Sequence, residues 1–235
     1  YSMLKEIGIK SYYTTVFAGK NEPDIIVDFP SNQFNHVILC VPLREDTIWL
    51  ECTNQQNPFN FLGSHSDDRH ALLITEEGGK LVKTPRYGKE INTQYRNIEL
   101  KLDAEGHATA KVHTEFSGLQ YENREGWSGR SVKEQKDALK ETYAVSGMEI
   151  NDFKFTEFKN EIPSIHEDLD LTILRFASTS GKRMFIKMNV FNQASYVPKN
   201  EERKIPFRLT YEFIDTDTVN LEIPEGYTIE NQPKD

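Results

Sequence analysis

Phe34-Asn35-His36-Val37-Ile38-Leu39-Cys40-Val41, followed by Thr47-Ile48-Trp49-Leu50-Glu51-Cys52-Thr53, decides how this chain is read. Both stretches are rich in β-branched and aromatic residues and flank a short turn at residues 42–46, the pattern of two neighbouring strands. A hairpin with His36 opposite Glu51 sets Ile38 against Trp49 and Cys40 against Thr47. Directly opposed residues hold their Cβ atoms ~4.5–5.5 Å apart, so a carboxylate there can orient the imidazole. A histidine held by a carboxylate is half of a nucleophilic site. The other half is the nucleophile.

Neither cysteine supplies it. Cys40 shares the face of His36 but lies four residues along, on the order of 13 Å at ~3.3 Å per residue. Cys52 follows Glu51 directly, so alternation turns it to the opposite face. The same parity argues against a Cys40–Cys52 disulfide. The stretch therefore carries a base and its orienter, with no thiol in reach.

Outward from this stretch, 235 residues allow one large or two modest domains, and 14 Phe and 10 Tyr lean toward β structure. A net charge of −9 argues against nucleic acid and anionic membrane surfaces as partners. No apolar run approaches the roughly 18 residues of a transmembrane segment. Met3, Leu4 and Ile7 form an apolar stripe closed by Gly8, which reads as the last turns of a longer helix cut at Tyr1. Strand patterns follow at residues 11–17 and 70–75, with loops at 20–33 and 54–69 and a turn at 77–80. A boundary near residues 85–89 divides the chain into domains 1–84 and 85–235.

The second part alternates at residues 91–102 and 107–116 about the turn Asp103-Ala104-Glu105-Gly106. The period then becomes helical near residues 131–143, with Ser131 and Glu134 at capping-box spacing. Strands are expected at 149–158, 168–177, 183–191, 207–214 and 219–223. The fold class is α+β, mostly β, ending in an antiparallel β-sandwich-like domain with a helical insertion.

The remaining polar clusters read blandly. His65-Ser66-Asp67-Asp68-Arg69-His70 has no zinc-site spacing and reads as a solvated loop. His107 and His113 lie roughly 20 Å apart on an extended strand, too far for a ligand pair. Asp215-Thr216-Asp217-Thr218 reads as a turn with Asx hydrogen bonds rather than a calcium loop, and the charged residues 133–140 as a solvated helix face. No metal or cofactor is called for.

The phrases Gln33-Phe34-Asn35-His36-Val37 and Trp49-Leu50-Glu51-Cys52-Thr53 resemble the transglutaminase-like superfamily, in particular its Bacteroidetes-type bacterial members. Leu4-Lys5-Glu6-Ile7-Gly8-Ile9, Pro58-Phe59, Arg69-His70-Ala71-Leu72-Leu73 and Leu221-Glu222-Ile223-Pro224-Glu225-Gly226-Tyr227 extend the likeness. The resemblance implies a partial papain-like core over residues 1–84 and a β accessory domain after it. It makes His36 the catalytic histidine and places Glu51 where the family has Asp. It implies thiol acyl transfer to water or to an amine, on a protein or peptide substrate. The nucleophilic cysteine then lies before Tyr1, in a part of the protein that packs against residues 1–84, and the chain alone is inactive. It also implies an extracytoplasmic location. The rival reading is a non-catalytic extracytoplasmic binding or scaffold module.

Overall fold

The computed structural model describes residues 1–20, 22–192, 204 and 209–232. Two five-stranded sheets carry the fold, which is mostly β with few helices. A five-residue helix, α1 (Ser2–Glu6), buries none of its residues and ends before Gly8, whose φ of +74° suits glycine.

The first sheet contains β1 (Tyr12–Val16), β2 (His36–Pro42), β3 (Thr47–Leu50), β4 (His70–Thr75) and β5 (Gly78–Lys83), in the order β3-β2-β1-β4-β5. All its pairings are antiparallel. Thr14, Val16, Ile38, Cys40, Trp49, Ala71 and Leu73 lie buried on one face, where Leu62 from the long loop and Ala18 close the apolar cluster. Tyr13, Ile74 and Leu81 lie on the other face and keep between 40% and 47% of their surface exposed.

The expected register of the β2–β3 hairpin is corrected. Cys40 pairs with Trp49 and Leu39 with Leu50, two residues away from the arrangement with Cys40 opposite Thr47. A slip of two keeps every side chain on its face, whereas a slip of one inverts them all. Glu51 thus stays on the His36 face, diagonal to the histidine rather than opposite. The turn read at residues 77–80 is also shorter than expected, because β5 begins at Gly78.

The second sheet contains β6 (Thr93–Leu102), β7 (Ala108–Ser117), β8 (Met148–Phe158), β9 (Ser164–Ile173) and β12 (Ile214–Glu222), in the order β12-β6-β7-β9-β8. The alternation of buried with partly or fully exposed residues along β6, β7 and β9 marks one packed face and one more open face. Helix α2 (Val132–Tyr143) inserts Leu139 and Tyr143 over the packed face beside Trp127. Its capping box forms as its spacing predicts, with Ser131 and Glu134 bonded reciprocally. A small hairpin of β10 (Ser178–Ser180) and β11 (Arg183–Phe185) follows.

Two expectations change here. The strand expected at residues 168–177 starts and ends four residues earlier. Asp215-Thr216-Asp217-Thr218 is not a turn, because it lies within β12, paired in parallel with β6, so this sheet is mixed. Of the strand expected at 207–214, residues 207 and 208 lie outside the described residues and only Ile214 belongs to a strand.

Candidate functional site

His36 opens β2, and the chain fixes it from the preceding residue. β1 ends at Val16, so its ladder cannot hold the entry to β2 alone. Asn35 takes over: its Oδ1 accepts from Ala18 N–H at 2.7 Å and its Nδ2 donates to the Ala18 carbonyl at 2.8 Å. Asn35 N–H also donates to the Val16 carbonyl. The backbone beneath the imidazole is therefore pinned on both sides.

Glu51 directly follows β3. His36 Nε2 lies 2.8 Å from Glu51 Oε2, with side-chain exposures of 16% for the histidine and 4% for the glutamate. An ionised carboxylate only accepts, so Nε2 carries the proton toward it and Nδ1 is the nitrogen left for other chemistry. The other carboxylate oxygen accepts from Thr53 N–H at 3.0 Å and Thr53 Oγ1 at 2.7 Å. Ser66 Oγ donates to Oε2 at 3.4 Å. Burial pushes Glu51 upward, but the Thr53 and His36 bonds outweigh it and hold the carboxyl below its ordinary value. The diagonal placement explains why glutamate suits this position. Diagonal neighbours sit ~7–8 Å apart, within reach of a long side chain.

The loop read as solvated closes over this pair instead. His65 is exposed, but its ring meets that of His36 edge-on at 5.2 Å, and Ser66 is fully buried. Arg69 is buried too, donating to the carbonyls of Gly19, Glu22 and Pro23. His70 begins β4 and pairs through Nδ1 with Asp24 at 2.6 Å, so Arg69 and His70 together clasp Gly19, Glu22, Pro23 and Asp24. Asp67 opens on a cleft of about 670 Å³ shared with Arg69, Arg86, Tyr87 and Tyr211. Burial, with Glu122 and Asp68 adding repulsion, pushes its carboxyl up to about 7.

Both cysteines are free. Cys40 is buried against Trp49, and burial pushes its thiol up. Cys52 is exposed, its Sγ directed to the Leu50 carbonyl. Among the described residues, no serine, threonine or cysteine hydrogen-bonds the His36 ring, and no group of three or more His, Cys, Asp and Glu side chains comes together to hold a metal ion. His107 accepts from Arg175 N–H while His113 pairs with Asp168, so those two histidines serve different neighbours. No described helix is long and apolar enough to cross a membrane.

Sequence reasoning missed Asn35, Thr53, His65, Ser66 and the residues that hold their loop. Thr53 had a local signal, lying two residues past a strand-end carboxylate, where a turn bond is expected. His65 and Ser66 had none, because their approach depends on how the long loop folds back.

Comparison with known proteins covers only the C-terminal end. Residues 182–235 match DUF3858, described as a domain of unknown function with a solved structure. No match to a transglutaminase-like family was found, which corrects the expected membership. No curated protein and no solved structure matches the chain. The assignment of His36 and Glu51 to that family's roles, and the extracytoplasmic location, rested on the resemblance; the pairing of the two side chains rests on the geometry.

Proposed function

We propose that His36 and Glu51 are the base and orienter of a nucleophilic acyl-transfer site, and that a thiol or hydroxyl from polypeptide outside these 235 residues completes it. The 2.8 Å bond from His36 Nε2 to a carboxylate whose two oxygens are both engaged carries this reading. Glu51 selects the tautomer and leaves Nδ1 as acceptor. The nucleophile's proton passes to Nδ1 as its oxygen or sulfur attacks an amide carbonyl. Glu51 then stabilises the imidazolium across Nε2. The imidazolium returns its proton to the leaving amine, and water or a second amine releases the acyl group. A protein or peptide amide is the substrate class this chemistry takes.

Apolar surface supports the incoming partner. Besides Tyr13, Ile74 and Leu81, Met3 and Ile7 are 85% and 69% exposed. The sheet's outer face points away from His36 and Glu51, so it offers a docking surface for further polypeptide and not the nucleophile's own approach. Peptide and glutamine-amide hydrolysis by the 235-residue chain tests the division of labour. No turnover is expected. Turnover that His36→Ala abolishes means the nucleophile lies within this chain, and the reading fails.

A further inference from the structure

The loop that closes the His36–Glu51 site is held by the second sheet's part of the molecule. Phe61 packs with Tyr87 and Leu119, and Tyr87 Oη accepts from Leu62 N–H at 3.0 Å. Glu122, on the 3₁₀ turn Gly118–Asn123, makes the polar contacts: Oε1 accepts from Ser64 N–H and Oε2 from Ser64 Oγ, each at 2.5 Å. Gly63 makes room for this carboxylate. Its φ is +69°, and a Cβ there meets Glu122 Oε1 at 2.6 Å.

Glu122 is itself rigidly placed. Tyr121 before it is fully buried, and Arg124 after it is buried against Glu167. Leu119 N–H donates to Asn92 Oδ1, tying the same turn to the start of β6. A carboxylate on such a base sets where Ser64 sits. One residue further along, His65 meets the His36 ring; two further, Ser66 donates to Glu51.

We propose that Glu122 is a positioning residue of the His36–Glu51 site, acting through Ser64 to hold His65 and Ser66 against the pair. The role rests on reading His36 as the base, and it makes the second sheet's part of the molecule a component of that site. If the 62–66 loop is released, Glu51 loses its Ser66 donor and His36 loses the ring that bounds it. The His36–Glu51 bond then opens part of the time, and with each opening the imidazole loses the contact that selects its Nε2–H tautomer.

The test is long-range ¹H–¹⁵N spectroscopy of the histidine rings in the 235-residue chain, recorded at alkaline pH. The unmodified chain is expected to show His36 with its proton on Nε2 and well-separated ring-nitrogen signals. In Glu122→Ala the two His36 nitrogen signals converge, while circular dichroism is unchanged. Glu122→Gln keeps an acceptor for Ser64 N–H and keeps the signals apart. Ser64→Ala removes one of the two bonds and gives a smaller shift in the same direction, which also serves if Glu122→Ala does not fold. Unchanged His36 signals in Ser64→Ala and in any folded Glu122→Ala overturn the proposal. That result leaves the acyl-transfer reading standing, whereas turnover failures in the complete protein bear on that reading and not on this coupling.

Discussion

At Glu51, burial and hydrogen bonding pull in opposite directions and hydrogen bonding wins; at Asp67, sixteen residues on, burial wins. The two carboxylates therefore respond to pH with opposite sign. The folded value of Glu51 lies below its ordinary 4.5, so in that window the unfolded chain binds more protons. Its contribution is present above pH 4.5 and is lost as pH falls through the folded value. A chemical-denaturation series should show Glu51→Gln less stable than the parent at pH 7, with the gap closing in acid. Glu51→Asp should lose most of the same stability, about 1.5–3 kcal/mol for a hydrogen bond to a charged group, because the shorter side chain does not span the diagonal. Asp67, up from 3.8 to about 7, behaves in the reverse sense. Between those values the folded chain holds a proton that the unfolded chain releases, so stability falls as pH rises. Asp67→Asn should match the parent near pH 4 and exceed it at pH 8 by ~2–4 kcal/mol.

Buried ion pairs tie elements of the second sheet, Arg96 with Asp217 between β6 and β12 and Arg124 with Glu167 on β9. Glu167 on β9 is fully buried and accepts from Arg124 Nε at 2.8 Å and from the Tyr143 hydroxyl of α2. The guanidinium stacks over Phe116 and Trp127. Glu167→Ala strands Arg124 in the core and should cost about 3–5 kcal/mol, read as a lower guanidinium midpoint with an unchanged slope. Elements also show where sequence reasoning succeeds. α2 was legible because Ser131 and Glu134 signal a local event. β12 was legible only toward its end, where a strand was expected at 219–223; Asp215-Thr216-Asp217-Thr218 carries turn chemistry and takes strand geometry only from a parallel ladder to β6, more than a hundred residues earlier. The His36–Glu51 pairing was legible by parity even though the register was not, because a slip of two preserves the face. His65, Ser66 and Glu122 were hidden for the same reason as the start of β12: nothing near them in the chain announces their partners.

The whole molecule places its candidate chemistry at the first sheet and part of its support at the second. Glu122 and Tyr87 hold the loop that covers the His36–Glu51 pair, while the outer face of the first sheet leaves apolar side chains exposed. Substitution of Tyr13, Ile74 or Leu81 by polar residues should leave this chain folded and weaken its association with any polypeptide that packs on that outer face, opposite His36 and Glu51. The central claim is that His36 serves a nucleophile outside residues 1–235. It is tested most directly by trapping an acyl adduct in the protein at its natural full length, with a peptide-derived acylating probe, and locating the adduct by mass spectrometry. The expected result is an adduct on a thiol or hydroxyl outside these residues, lost in His36→Ala. An adduct on Cys40, Cys52 or another residue of this chain, or one that forms equally well without His36, contradicts the account.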